Sequence, residues 1–197
     1  MKPRTAEVQR ETRETRIRMK LNIDGSGRAA IASPIGFLTH MLETLTRHGI
    51  FDLEAHIEGD LQVDQHHTVE DTGIVLGEAF KQALGEKRGI RRAGFFIYPM
   101  DEALARVAVD LSGRPFLKYK VKLAHKTVGD LHTDLVEDFF LGFATALGAN
   151  LHIKVHYGRS DHHKIEAVFK ALGRALKEAC QIEPRLQNQI PSTKGAL

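Results

Sequence analysis

Residues 66–71 read HHTVED and residues 162–167 read HHKIEA, so one short phrase, two adjacent histidines followed by a glutamate, occurs twice. The two copies lie about half of the 197-residue chain apart. Apolar residues at helical spacing follow each copy, which places both phrases at the start of a helix. A motif repeated at half-chain distance and in the same kind of element indicates an internal duplication.

The elements around the first copy predict a β-β-α-β-α order. Alternating apolar residues in 15–33, with the turn sequence DGSG, predict a β-hairpin. Residues 36–48 have helical spacing and are followed by Gly49, which is typical of a helix end. Residues 51–60 alternate again as a strand, and residues 66–84 form the second predicted helix.

The second half repeats this order. Residues 94–113 predict two strands joined by the turn sequence PMDE, and residues 115–121 predict a possible third strand. Residues 133–148 predict a helix, 150–157 a strand, and 162–179 the last helix. The sequence therefore predicts an α+β fold of two duplicated β-β-α-β-α halves, with a coincidence of common element orders as the alternative. The predicted divisions are a first half at residues 1–88, a second half at residues 89–183 and a C-terminal substrate-binding tail at residues 184–197.

The bulk composition excludes several classes of protein. The net charge is only +3 and basic residues are interleaved with acids, which argues against nucleic-acid binding. Cys180 is the only cysteine, so an internal disulfide and a thiolate-rich metal site are excluded, and a reducing cytoplasm fits. No run of 18 apolar residues and no signal peptide are visible, so we expect a cytoplasmic protein without membrane contacts.

The repeated phrase has the chemistry of a metal ligand set. Residues four apart share one face of a helix, so His66 with Glu70, and His162 with Glu166, can present nitrogen and oxygen to one ion. The adjacent histidines, His67 and His163, point about 100° away and would face a second site. Two metal sites are therefore predicted, each drawing on both halves or on neighbouring subunits. A pair of exposed helix-surface histidines is the alternative for either copy alone.

Two further ligands are predicted from the duplication. His40 lies on the first helix and is the candidate third ligand from the first half, although a single helical histidine is often a packing residue. Asp138 occupies the corresponding region of the second half and can bind a hard ion. Imidazole and carboxylate without thiolate suit Mn, Fe, Co, Ni or Zn. Because the chain offers more ligands than four-coordinate zinc requires, a six-coordinate ion such as Mn²⁺ is favoured.

Three stretches could bind phosphate. The tail sequence PSTKG offers the hydroxyl of Ser192, the charge of Lys194 and a glycine that lets backbone amides approach an anion. SGRPF holds Arg114 in a turn, and GIRRAG contains Arg92; guanidinium groups bind phosphate oxygens in pairs. Each of these residues, taken alone, could also be an ordinary surface group.

Six motifs together resemble one known family, the imidazoleglycerol-phosphate dehydratases of histidine biosynthesis, in its monofunctional form. They are FLTHML, HHTVEDTGIVLG, PMDEAL, VDLSGRPF, HHKIEAVFKA and PSTKG, and the resemblance runs from about residue 10 to residue 197. It implies helices packed between sheets, a homo-oligomer of 24 subunits, and two Mn²⁺ ions in each active site at subunit contacts.

The resemblance also implies roles for individual residues. The metal ligands carried over are seven residues at matching positions: His40, His66, His67, Glu70, His162, His163 and Glu166. Several relatives have a histidine where this chain has Asp138, which could still bind an ion. The implied substrate contacts are Glu14, Arg92, Arg114, Lys170, Ser192 and Lys194.

The implied reaction removes water from D-erythro-imidazole glycerol phosphate to give imidazole acetol phosphate. The proton to be removed is weakly acidic and hydroxide is a poor leaving group, so a substrate held as imidazolate by two metal ions would help expel the hydroxyl. Glu166 and Glu70 are the candidate general bases. The alternatives are a two-metal hydrolase and a metal-binding cage without catalysis.

Overall fold

Two four-stranded sheets lie on either side of four helices in the computed structural model, which describes residues 3–187 and 189–195. The elements of the first half are β1 (Thr5–Glu11), β2 (Thr15–Asn22), β3 (Ala29–Ala32), α1 (Gly36–Gly49), β4 (Asp52–Gly59) and α2 (His66–Leu84). Those of the second half are β5 (Ala93–Met100), β6 (Ala103–Asp110), β7 (Phe116–Lys120), β8 (Thr127–Val128), β9 (Leu131–His132), α3 (Leu135–Leu147), β10 (Asn150–Tyr157) and α4 (Asp161–Cys180). A single 3₁₀ turn, Pro184–Leu186, follows α4.

The two sheets have the same topology, which confirms the α+β class with duplicated halves. The first sheet has the order β1-β2-β4-β3 and the second the order β5-β6-β10-β7. In each, the first three strands are antiparallel and the last strand runs parallel to its neighbour. Each half therefore supplies three strands to its four-stranded sheet before its first helix, one more than the predicted β-β-α-β-α order; in the second half the third is β7, at the possible strand 115–121, and the short pair β8 and β9 follows it.

The predicted hairpin at 15–33 is wrong. β2 pairs instead with β1, a strand that was not predicted. β3 pairs with β4 in parallel, on the side of β4 away from β2. The loop between β2 and β3 packs on Asp52, whose carboxylate accepts hydrogen bonds from the backbone N–H groups of Ser26 and Arg28. The DGSG loop therefore reverses the chain direction but carries it past β4, so that β3 lies beside β4 and not beside β2.

The helices pair across the two halves. α1 packs on α4, and α2 packs on α3, so each helix contact joins one half to the other. Close approach of α2 and α3 depends on glycine: a Cβ on Gly73 would lie 2.2 Å from the carbonyl oxygen of Phe139. The buried apolar side chains of both halves form one continuous core. Among the described residues, no helix is both long and apolar enough to span a membrane.

A short hairpin of the second half holds the starts of both first-half helices. Asp130, between β8 and β9, accepts hydrogen bonds from the backbone N–H groups of Gly36 and Phe37 at the start of α1. Gln65, just before α2, donates to the carbonyl of Asp130 and accepts from the backbone N–H of His132. These contacts position the first turns of the helices that carry the predicted ligands of the first half.

Candidate metal centre

Three predicted ligands meet where α1 packs on α4. Glu166 Oε2 lies 3.0 Å from His162 Nε2 and 3.5 Å from His40 Nε2. One ligand atom from each residue lies within 4.8 Å of the others. Ligand atoms bound to one ion at about 2.1 Å are about 3–4.3 Å apart, so these residues fit a shared cation. We call His40, His162 and Glu166 the α1/α4 group.

A matching arrangement lies where α2 packs on α3. His66 Nε2 is 3.7 Å from Glu70 Oε2, and His66 Nδ1 is 3.6 Å from Asp138 Oδ2. The two carboxylates contact opposite nitrogens of the ring, so these three side chains do not face one point as the α1/α4 group does. We call His66, Glu70 and Asp138 the α2/α3 group; it corresponds to the α1/α4 group by the duplication.

The two remaining predicted ligands, His67 and His163, lie outside both groups. Each ring is about 6.0 Å from the ring of its neighbouring histidine and nearly perpendicular to it. The predicted divergence of the paired histidines is therefore present in the geometry. A second group of three ligand-type residues within the described chain consists of His163 with Asp101 and Glu102.

A carboxylate contacts Nδ1 of each of these outer histidines. His67 Nδ1 is 3.2 Å from both carboxylate oxygens of Asp60, and His163 Nδ1 is 2.7 Å from Glu102 Oε2. The hydrogen bond with Asp60 raises the pKa of His67. A hydrogen bond from the backbone N–H of Ser160, together with the bond to His163, lowers the pKa of Glu102 to about 2.

Lys170 lies at the α1/α4 group. Its ammonium is 2.9 Å from Glu166 Oε1 and sits over the ring of Tyr98. Burial raises the pKa of Glu166, but the hydrogen bond from Lys170 and the charges of Lys170 and His40 outweigh it, so the pKa falls below its ordinary value. Glu166 is therefore ionised, with both oxygens engaged, which suits a metal ligand.

The other predicted substrate contacts are divided between two places. Arg92 donates two hydrogen bonds to Asp110 and a third to the carbonyl of Pro191, so it holds the tail just before Ser192. Arg114 is exposed in the turn after β6, and the backbone N–H of Lys194 donates to Ser192 Oγ. These four residues lie around the end of the second sheet, with no described contact to the α1/α4 group.

Glu14 is the remaining predicted substrate contact, and its carboxylate lies 3.7 Å from His67 Nε2. Five residues of the predicted divisions lie outside the described residues: 188, 196 and 197 in the tail, and 1 and 2 in the first half.

Asp60 and Glu102, which contact the outer histidines, were not predicted from the sequence. Glu102 is part of the PMDEAL motif quoted above, but it lies far from His163 along the chain, so no local spacing connects the two. Asp60 lies seven residues before His67, in the loop between β4 and α2. A carboxylate shortly before a ligand helix is the only sequence signal for it.

Comparison with protein families identifies a relationship over most of the chain. The family model described as imidazoleglycerol-phosphate dehydratase matches residues 33–176. An imidazoleglycerol-phosphate dehydratase of Koribacter versatilis is 58% identical over 194 residues, covering 98% of this chain and 100% of that protein. One from Acinetobacter baumannii is 51% identical over 197 residues, covering 100% of this chain and 98% of that protein.

Solved structures agree with the sequence comparison. The crystal structure of imidazoleglycerol-phosphate dehydratase from Staphylococcus aureus superposes with a TM-score of 0.82 at 36% identity, covering 91% of this chain and 99% of that one. The Pyrococcus furiosus enzyme superposes with a TM-score of 0.84 at 35% identity, covering 96% and 100%.

Proposed function

The chain belongs to the imidazoleglycerol-phosphate dehydratase family, a hydro-lyase of histidine biosynthesis, and we propose that it acts with two Mn²⁺ ions in each active site. The family membership favours dehydration over a two-metal hydrolase or a cage without catalysis. The observation that supports the metal ions is the α1/α4 group, whose nitrogen and oxygen donors converge. The α2/α3 group has the same kinds of donor at the corresponding place, arranged around both nitrogens of His66.

The α1/α4 group supplies two imidazoles and a carboxylate, and the α2/α3 group supplies one imidazole and two carboxylates. Both donor sets suit Mn²⁺, which accepts imidazole and carboxylate ligands. We propose that His67 and His163 complete the coordination of ions held by other subunits, because they lie outside the groups of their own chain. An assembly of 24 subunits and a cytoplasmic location, expected from the sequence, are part of the same proposal.

Bound at the substrate ring, the two cations would stabilise negative charge on the imidazole and so ease departure of the hydroxyl. A carboxylate of the chain would remove the carbon-bound proton, and the enol left after loss of water becomes the ketone by moving a proton from oxygen to carbon. Glu166 has both oxygens occupied, by Lys170 on one side and by His40 and His162 on the other. Glu70 has the more open carboxylate, with 40% of its side chain exposed against 10% for Glu166. We therefore prefer Glu70 as the base of the two candidates, acting through the oxygen that would not bind the ion.

The phosphate is proposed to bind at the end of the second sheet. Arg114 and Lys194 would supply positive charge there, while Arg92 binds the carbonyl of Pro191 and so holds the tail next to Ser192. Lys170 would contribute at the α1/α4 group, and Glu14 would bind substrate beside His67. Because the two places belong to different parts of one chain, the substrate would bridge groups from neighbouring subunits.

Removal and return of metal tests the proposal directly. Protein treated with a chelator should lose conversion of imidazoleglycerol phosphate to the ketone product, and added Mn²⁺ should restore it. Replacing His162 by Gln should lower Mn²⁺ affinity and turnover together. His56→Gln is the matched control, because His56 lies exposed on the outer face of the first sheet. Full dehydratase activity in metal-free protein would refute the metal part, and hydrolysis of generic phosphoesters without ketone formation would favour the hydrolase.

The phosphate site is tested by its charges. Lys194→Gln and Arg114→Gln should raise the KM for the substrate with less effect on Mn²⁺ binding, and deletion of residues 191–197 should weaken substrate binding strongly. Lys154→Gln is the control, since Lys154 lies on the outer face of the second sheet. Unchanged KM values in all three variants would leave a metal-binding cage as the better explanation.

A further inference from the structure

We propose that Asp60 and Glu102 are positioning residues, which hold His67 and His163 with Nδ1 engaged so that Nε2 of each ring is free to bind metal. This inference rests on the proposed function, because it concerns ligands of the proposed ions. The two carboxylates were not among the residues that the sequence analysis or the family resemblance singled out.

The contacts determine which nitrogen carries the proton. A carboxylate can only accept a hydrogen bond, so the ring nitrogen that contacts it must donate. Nδ1 of His67 lies 3.2 Å from both oxygens of Asp60, and Nδ1 of His163 lies 2.7 Å from Glu102 Oε2. In a neutral ring the lone pair is then on Nε2, which is the form that binds a metal ion.

Neither Nε2 atom has a hydrogen-bond partner among the described residues. The nearest carboxylate oxygens are those of Glu14, at 3.7 Å from His67, and Asp101, at 3.8 Å from His163. Both distances exceed a hydrogen bond but are within reach of ligands around one cation. The rings are each about 30% exposed, so Nε2 is accessible from outside the chain.

Backbone hydrogen bonds fix the carboxylate of Glu102 and the main chain of Asp60. Glu102 Oε1 accepts from the backbone N–H groups of Arg159 and Ser160, and Ser160 caps the helix on which His163 lies. Asp60 follows β4 directly, and its backbone N–H donates to the carbonyl of Glu14. A carboxylate held in this way limits rotation of the imidazole that it contacts.

The two halves reach this arrangement from different positions in the repeated fold. Glu102 lies in the turn between β5 and β6, whereas Asp60 lies after β4, whose counterpart is β10. A contact that merely followed from the duplicated topology would come from corresponding positions. The same support therefore arises twice independently, which points to a requirement of the histidines for a carboxylate at Nδ1.

The experiment measures Mn²⁺ affinity of the full chain by calorimetric titration, alongside the Mn²⁺ dependence of dehydratase activity. Asp60→Ala and Glu102→Ala should each weaken Mn²⁺ binding about 10- to 100-fold. Asp60→Asn and Glu102→Gln should recover part of this loss, because an amide oxygen can still accept from Nδ1; they also stay informative if an alanine variant fails to fold. Glu58→Ala is the control, since Glu58 pairs with His56 on the outer face of the first sheet.

The possible results separate this inference from the proposed function. If wild-type protein depends on Mn²⁺ but both folded alanine variants keep wild-type affinity, the positioning role is overturned and the proposed function stands. If wild-type protein neither binds nor needs Mn²⁺, the metal part of the proposed function fails first and this inference falls with it. The positioning role is supported if both alanine variants bind Mn²⁺ more weakly and the amide variants recover part of the lost affinity. The Mn²⁺ affinity of Glu58→Ala should then equal that of the wild type.

Discussion

Gly73 provides the strictest test of how helix packing builds the α2/α3 group, a proposed metal site. It lies on α2, three residues after Glu70, and faces the backbone of α3 next to Asp138. An alanine Cβ at Gly73 would lie 2.2 Å from the carbonyl oxygen of Phe139 and 3.0 Å from its carbonyl carbon. Ordinary contacts of a Cβ begin near 3.4 Å, so α2 and α3 would have to separate by about 1 Å.

The energetic consequence of Gly73→Ala has two opposing parts. Overpacking of a tight interface costs about 1–3 kcal/mol, and backbone atoms cannot rotate away as a side chain could. Alanine recovers about 1 kcal/mol because it favours the helix over glycine. We expect the cost at the upper end of its range and therefore a net loss of about 2 kcal/mol, or a fall of about 4–8 °C in Tm for a chain of this size.

The same separation would disturb the α2/α3 group, because Glu70 and Asp138 lie on the two helices that move apart. A displacement of about 1 Å in a catalytic arrangement can reduce turnover about 100-fold. Urea unfolding and Mn²⁺-dependent dehydratase assays measure both effects. Gly36→Ala is the matched control, since a Cβ there comes no closer than 3.4 Å to any neighbouring atom. Wild-type stability and turnover in Gly73→Ala would refute the view that close helix approach sets the site.

Three other substitutions test separate features. Asp130→Ala should destabilise the protein by about 0.5–2 kcal/mol in urea unfolding, because it removes the carboxylate that accepts hydrogen bonds from the first amides of α1. Asp130→Asn should lose less stability. Equal free energies of unfolding for wild type and Asp130→Ala would contradict the capping role. Backbone hydrogen bonds lower the pKa of Asp52 to about 2, so the ionised carboxylate adds at most about 2 kcal/mol to the free energy of unfolding. This stabilisation is present above pH 4 and is lost as the pH falls towards 2. Asp52→Asn should therefore reduce the loss of stability in acid, and an unchanged acid dependence would exclude this role. Lys154 lies directly between Arg106 and Lys120 on neighbouring strands, so three positive charges repel one another across the sheet. Lys154→Glu should therefore raise the free energy of unfolding by about 0.2–1 kcal/mol at low salt. A loss of stability at low salt would count against this repulsion.

The helices were predictable because their apolar spacing is long and regular. The predicted range of the second helix, 66–84, coincides with α2, and the other three differ by no more than two residues at either end. Burial of one face of each helix in the shared core requires this spacing, so the signal in the sequence is strong.

Strand pairing was less predictable, because alternation shows that a strand exists and not which strand lies beside it. β1 has a single well-buried apolar residue, Val8, and its other side chains are mostly polar or charged. Its pairing with β2 is supported by cross-strand ion pairs such as Glu7 with Arg18. The turn residues DGSG were a misleading signal, since Asp52 of a distant strand organises that loop.

The candidate site shows the same division between local and distant information. The ligand pairs four residues apart were visible because one helix face places them together. Asp60 and Glu102 were not, because their contacts with the outer histidines depend on how strand ends and turns meet the helices. Asp130 is also beyond local reach, since it caps α1 from 94 residues away along the chain.

The packing of helices across the halves accounts for the repeated phrase. His162 and Glu166 lie on α4, but the third member of their group, His40, lies on α1 of the other half. His66 and Glu70 lie on α2, whereas Asp138 lies on α3. Each copy of the phrase supplies two of the three proposed ligands of a group, and the third comes from the other half. A chain that needs two such groups must therefore contain both copies, folded against each other with the helices of each half exchanged as packing partners.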